Sequence, residues 1–397
     1  MEKLINKSAK KIQNVNMDFT RSLYKSIHWE RRLIGIKGAR GTGKTTLLLQ
    51  YLKKEFGDNE QVLYVSLDDV YFAANSLVDL IEQFVKLGGK VIALDEVHKY
   101  LNWSQEIKNL YDDYSDIKIV FTGSSILDID KAEYDLSRRA VLYELPVLSL
   151  REFIALESGL ELPAFAMEDV LNNHRSIVSD LIAMIKPLKE FALYNEYGAY
   201  PFYRNIKDDY YHHLNRVINL ILETDVPSTI SMDFNSIVKL KRFLYLLSES
   251  VPFAPNISKL SAAMGVTRDT VVKYLHYLEK AKLLSLVYAQ GKGISKLAKP
   301  AKVYLENTNL MYALDSIAVK VGNKRETFFQ NQLSVMHKIE IPLKGDFIID
   351  SKFLFEIGGA NKTYHQIANQ ENSYIVADDI EYGFGNKIPI WLFGFLY

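Results

Sequence analysis

The sequence predicts an α/β protein, with a three-layer core on a parallel sheet followed by smaller modules. Three observations carry that prediction. The stretch GIKGARGTGKTTLLLQ holds a complete G-x-x-x-x-G-K-[ST] spacing from Gly38 to Thr45, between an apolar run and a Leu-rich helical run. Strand-like runs recur at 33–37, 62–67, 91–95, 117–122 and 140–147, with helical stretches between them. A chain of 397 residues is also too long for one ordinary core, so several domains are expected.

The loop comes first because its residue types name its ligand. Glycines at 38, 41 and 43 let the backbone curl so that successive N–H groups point inward at phosphate oxygens. The helix that opens next adds its free N–H groups and positive dipole end. Lys44 is expected to reach the β- and γ-phosphates, and the Thr45 hydroxyl to take one Mg²⁺ position. Gly38, Gly41, Thr42, Gly43, Lys44, Thr45 and Thr46 are therefore the expected nucleotide-binding set, with Mg²⁺ as companion. No N-K-x-D tetrad for reading guanine is present, which favours ATP.

The third strand-like run, KVIALDEVHKY, ends in Asp95 and Glu96. A buried parallel strand delivers such groups to the carboxyl edge of its sheet. Asp95 is expected to hold Mg²⁺, directly or through water, and Glu96 to polarise the attacking water. The fourth run, IKIVFTGSS, places hydroxyls at the next strand end. Ser124 is the first choice, and Thr122 the second, for a side chain that senses the γ-phosphate. Alternatively the serines cap the following helix. Arg138 and Arg139 precede the fifth run; an arginine there either neutralises charge on the transferring phosphoryl group or holds a carboxylate. Asp68 and Asp69 end the second run, beside the metal position or in a solvated loop.

Composition bounds the rest. With 48 basic and 48 acidic residues there is no global attraction to polyanions, so any basic surface must be local. The absence of cysteine excludes disulfides, thiolate metal sites and thiol catalysis. The opening MEKLINKSAKK has no apolar core of a leader, and no run reaches membrane-span length, which points to a cytoplasmic protein. The apolar IPIWLFGFLY at the other end reads as a buried strand.

Gly38–Thr45, LDEVHK, FTGSS and SRR…LPVLSLREF together resemble a family of prokaryotic AAA-type ATPases of uncharacterised role. The resemblance implies a P-loop core joined to a winged helix and a C-terminal nuclease-like domain. It makes Arg139 the arginine to carry over, because Arg138 stands where a glycine is common. His98 stands where a glutamine is expected. On this reading 1–150 is the ATPase core, 151–235 a helical lid and linker, 236–298 a winged helix-turn-helix and 299–397 a nuclease-like domain.

Within 236–298, Gly265 makes the turn between two helices and Thr267 caps the second. From Asn256 to Pro300 there are eight Lys/Arg and two Asp/Glu, a local basic patch with Arg268, Lys273, Lys280 and Lys282 as candidates for phosphate contact. DNA is one expected partner of 256–300; a protein is the other. The last segment carries Glu326 on a helix, then Asp346 and Glu356, and resembles the PD-(D/E)XK nuclease core. That chemistry needs a lysine two residues after the second carboxylate, and Gly358 stands there, so cleavage is not expected. Lys362 lies four residues further on, past the Gly358–Gly359 pair. The expected activity is Mg²⁺-dependent hydrolysis of ATP to ADP and phosphate, driving a conformational switch. The competing readings are ATP-regulated DNA binding or cutting, and nucleotide-dependent assembly into a homo-oligomer resembling STAND ATPases.

Overall fold

A computed structural model describes residues 1–57, 59–123, 136, 138–229, 232–291, 299–315, 319–367 and 370–397. The chain forms two compact units. The first is Met1–Val147 with Glu223–Ser231, and the second is Leu148–Leu222 with Met232–Tyr397.

In the first unit the alternating runs become five parallel strands: β1 (Leu33–Lys37), β2 (Val62–Ser66), β3 (Val91–Asp95), β4 (Lys118–Gly123) and β5 (Val141–Glu144). Their order is β2-β3-β4-β1-β5. Successive side chains of a strand point to opposite faces, and the core divides accordingly. Leu33, Leu63, Ile92, Leu94, Ile119 and Phe121 pack under the helices Leu77–Lys86 and Trp103–Asp113. Ile34, Ile36, Tyr64, Ala93 and Val120 pack against Leu47, Leu48, Tyr51 and Leu52 of the helix Lys44–Phe56. Each fully buried leucine in that helix contributes roughly 2 kcal/mol of transfer free energy. Gly35 is required by packing, since a Cβ there would lie 2.6 Å from the buried ring of Phe121. Because all strands are parallel, the loop after β1, the Asp95–Glu96 pair after β3 and Thr122 near the end of β4 share one sheet edge.

The second unit begins with helices. Ser149 and Glu152 form a reciprocal capping box at the start of Leu150–Ser158. The aromatic turn within 197–203 is a packing feature: Tyr197 stacks on Tyr203, and Tyr210 meets both rings edge-on. The helices Ile257–Met264 and Arg268–Lys280 follow, with Gly265 at φ +61° between them and Thr267 accepting from Thr270 N at the cap. Strands β6 (Leu284–Ala289) and β7 (Lys302–Leu305) form an antiparallel pair. They continue into a seven-stranded mixed sheet with β8 (Ile339–Ile341), β9 (Phe347–Ile349), β10 (Phe353–Gly358), β11 (Ser373–Ala377) and β12 (Lys387–Pro389), in the order β12-β11-β10-β9-β8-β6-β7.

One expectation needs correction. IPIWLFGFLY is buried, but it is not a strand: pairing ends at Pro389, and Ile390–Phe395 winds into a 3₁₀ helix. Proline has no N–H for the next ladder bond. Among the described residues, no helix is long and apolar enough to cross a membrane.

Candidate active site

The loop after β1 has the backbone that its glycines permit. Gly41 and Gly43 lie at φ +86° and +96°, where a side chain is strained. A Cβ on Gly38 would lie 2.4 Å from Leu145 O. Thr42 is fully buried and its hydroxyl donates to Ala39 O at 2.9 Å, so it braces the loop from inside. Thr46 is exposed in the first turn of the helix. Lys44 Nζ donates to Gly38 O at 2.9 Å and Ala39 O at 2.8 Å, and burial pushes this ammonium down to about 8 against the opposing pull of Glu96 and Asp95.

Asp95 is the hub of the site. Thr45 Oγ1 donates to its Oδ2 at 2.8 Å and Tyr64 OH to the same oxygen at 2.7 Å, while Thr122 Oγ1 donates to Oδ1. Thr122 also accepts from Glu96 N at 3.2 Å, so it ties the two acidic residues together. Ser124 lies outside the described residues. Glu96 adopts φ +56°, an uncommon backbone for a residue with a Cβ and a form of strain that clusters at functional sites. Burial raises its carboxyl above the usual range, against the charges of Arg40 and Lys44.

Arg139 is not brought to this edge. Its Nε and Nη2 donate to Asp112 at 2.7 and 2.8 Å. Asp112 lies in the last turn of the helix before β4, and Arg139 precedes β5, so both stand at the amino edge of a parallel sheet. Arg138 is exposed nearby. Within this chain, neither reaches the loop. An arginine inside the loop itself, Arg40, stands beside the acidic residues. Its Nε and Nη2 each lie 3.0 Å from Asp225, and Nη2 lies 3.4 Å from Glu96 Oε2. Lys99 Nζ is 3.3 Å from Asp225, and His98 Nε2 stands 3.6 Å from Glu96 Oε2. Burial pushes His98 down to about 3, so its ring is neutral at physiological pH. Burial alone would raise the Asp225 carboxyl, but Arg40 and Lys99 hold it below the usual range.

Sequence reasoning missed Arg40, Tyr64 and Asp225. It also missed Arg21, which donates to Thr42 O at 2.7 Å and to Pro146 O at 2.8 Å beneath the loop. Of these only Arg40 carried a signal, a charged residue inside a phosphate-binding loop. Asp69 serves the fold: it pairs with Lys7 and caps the turn Val70–Ala73.

In the second unit, Lys362 does reach Glu356, with Nζ 2.5 Å from Oε1. Gly358 makes the room, since a Cβ there would lie 2.7 Å from the Lys362 stem. Asp346 Oδ2 accepts from Ile357 N at 2.7 Å, and burial pushes its carboxyl up to about 6. Glu326 Oε2 accepts from Lys302 at 3.0 Å and Tyr304 at 2.9 Å.

Comparison with known proteins agrees with the first unit. A family model described as an AAA domain matches residues 30–154, and one described as a domain of unknown function (DUF8612) matches 188–321. An uncharacterized protein of Methanocaldococcus jannaschii is 27% identical over 290 residues, 69% of this chain. The match spans 60% of that relative's length. AMPPCP-bound DnaA from Aquifex aeolicus is similar at 16% identity and a TM-score of 0.25, over 66% of this chain and 85% of that one. C. elegans PCH-2 is similar at 17% identity and a TM-score of 0.24, over 39% and 44%. The unit that carries Lys44, Asp95 and Glu96 is a parallel-sheet α/β core that resembles a P-loop AAA core.

Proposed function

We propose that the first unit binds ATP with Mg²⁺ and hydrolyses it to ADP and phosphate. The observation that carries this reading is the convergence of Thr45 and Thr122 on Asp95 beside the phosphate loop, with Glu96 N tied to the same Thr122 hydroxyl. The residues fit the metal: a hydroxyl and a carboxylate 2.8 Å apart are hard oxygen donors. Mg²⁺ at such a site is bound by one or two protein oxygens together with the substrate phosphates. When bound, Mg²⁺ neutralises charge on the phosphate oxygens. Lys44 and the loop N–H groups hold the phosphates, Thr45 and Asp95 fix the metal position, and Glu96 accepts the proton of the attacking water.

The hydrolysis cycle acts as a switch on the rest of the chain. Supporting this, Glu223–Ser231 belongs to the nucleotide-binding unit, while the sequence on both sides of it belongs to the other. A second reading, nucleotide-controlled DNA binding through 256–300, is favoured by exposure of Arg268, Lys273 and Lys280, with Lys282 half-buried beside them. A protein partner is the alternative user of this surface. Arg139, held at the far edge of the sheet, has a role only toward the site of a neighbouring subunit in a nucleotide-dependent homo-oligomer.

Competition between ATP and GTP for the wild-type protein and Lys44→Ala tests the site. ATP is expected to bind preferentially, and the variant to bind neither nucleotide. Retained binding by Lys44→Ala contradicts the assignment.

A further inference from the structure

The pair Arg40–Asp225 has no part in the hydrolysis scheme above, yet it stands at the centre of the site. Arg40 lies on the loop between Gly38 and Gly41, so its backbone follows the path that wraps the phosphates. Its Nη2 is 3.4 Å from Glu96 Oε2, and the ammonium of Lys44 has Glu96, Asp95, Arg40 and Asp225 as its charged neighbours. If a water activated by Glu96 attacks the terminal phosphorus, Arg40, 3.4 Å from Glu96 Oε2, would flank the same phosphoryl group from the loop side. Negative charge on the oxygens of that group is what a guanidinium neutralises.

Asp225 sets the direction of the guanidinium. Its two oxygens take Nε and Nη2 in a fork, which fixes the guanidinium plane as a single hydrogen bond would not. Nη1 is not part of that fork. The Asp225 side chain is 5% exposed and Lys99 holds it from another side. It stands at the end of a π-helical turn, Ile221–Asp225, a rare geometry that recurs at functional sites. The chain passes from one compact unit to the other within this turn.

We propose that Arg40 is a ligand of the terminal phosphoryl group of ATP and that Asp225 is its positioning residue. The catalytic centre is then complete only while the segment that carries Asp225 is docked on the loop. The ligand chemistry is that of a nucleoside triphosphate: ADP lacks the group that Arg40 would hold. The proposal rests on the ATPase reading, and its test separates the two. A wild-type protein that neither binds nor hydrolyses ATP defeats the ATPase reading, whereas the proposal is judged on variants relative to wild type.

The test measures kcat and the dissociation constants of ATP and ADP for wild type, Arg40→Ala, Asp225→Asn and the double variant. Each single change is expected to lower kcat about a hundredfold, the usual loss for one preorganised donor. ADP affinity should stay within about twofold of wild type, and the double variant should be no slower than the slower single. An unchanged kcat, an ADP affinity that falls with kcat, losses that multiply in the double variant, or tighter ATP binding by Asp225→Asn would each overturn the proposal. Arg40→Lys guards against a folding defect, since it keeps the charge and loses the fork; it should also turn over slowly, and wild-type turnover would rule the fork out. Docking is read by hydrogen exchange at 223–229. Exchange should be slower with a non-hydrolysable ATP analogue than with ADP in wild type, and equal in Arg40→Ala. Equal exchange in wild type would remove the coupling.

Discussion

Thr45 Oγ1 donates to Asp95 Oδ2 at 2.8 Å, joining the first turn of the helix Lys44–Phe56 to the carboxyl end of β3. Two groups fifty residues apart in sequence are thus already side by side, where the proposed Mg²⁺ would bind. Thr45→Val, which keeps the shape and loses the hydroxyl, is expected to weaken nucleotide binding in Mg²⁺ by about ten- to a hundredfold, and Thr45→Ser to retain it. Titration of both variants with nucleotide, with and without Mg²⁺, checks this. A Thr45→Val protein with undiminished Mg²⁺ dependence would remove the hydroxyl from the site.

Tyr64 makes a second, separable prediction. Its hydroxyl donates to the same Asp95 oxygen at 2.7 Å from a buried position. Tyr64→Phe deletes one hydrogen bond to a charged group, a loss of about 2 kcal/mol. Urea unfolding of the two proteins measures it, and identical midpoints and slopes would show that Tyr64 carries no such weight.

The elements that could be read from sequence are those in which chemistry and chain order coincide. Gly38–Thr45 is eight consecutive residues, and Asp95–Glu96 ends an apolar run, so neither requires knowledge of the fold. Tyr64 is different: it reads as one more aromatic in a strand until register sets β2 beside β3, pairing Ser66 with Asp95. Asp225 lies 185 residues from Arg40 in a helical stretch, and only the return of that segment to the first unit joins them. For Arg139 the sequence left two readings, a phosphoryl neighbour or a carboxylate holder, because adjacency to a strand does not tell which edge of the sheet a residue occupies; within this chain it holds Asp112. Lys362 reaches Glu356 because the glycine at 358 leaves room for its stem, a compensation that spacing alone does not reveal.

The raised Asp346 carboxyl gives the second unit a pH dependence. Its folded value is about 6, above the ordinary value near 4. Its contribution to stability is therefore full below about pH 4 and is lost as the pH rises through about 6, a loss of at most about 3 kcal/mol. Asp346→Asn removes the titration, so the variant should gain on wild type between pH 4 and pH 7. Denaturant unfolding across that range with chelator present checks it, and parallel profiles for the two proteins would refute it.

No phosphodiester cleavage is expected from the second unit. Lys362 is engaged with Glu356, and Glu326 is engaged by Lys302 and Tyr304. Incubation with supercoiled, linear and single-stranded DNA in Mg²⁺ or Mn²⁺, with and without ATP, decides it. Cleavage that disappears in both Glu356→Ala and Lys362→Ala would reverse the conclusion and assign Lys362 the role of the lysine missing at position 358.

The central claim is that Glu96 performs chemistry at a site built for ATP. Phosphate release by wild type and Glu96→Gln, measured alongside ATP affinity on the same preparations, tests it most directly. The account predicts that Glu96→Gln binds ATP as wild type does and releases phosphate at least about a hundredfold more slowly. Normal phosphate release by Glu96→Gln would contradict it.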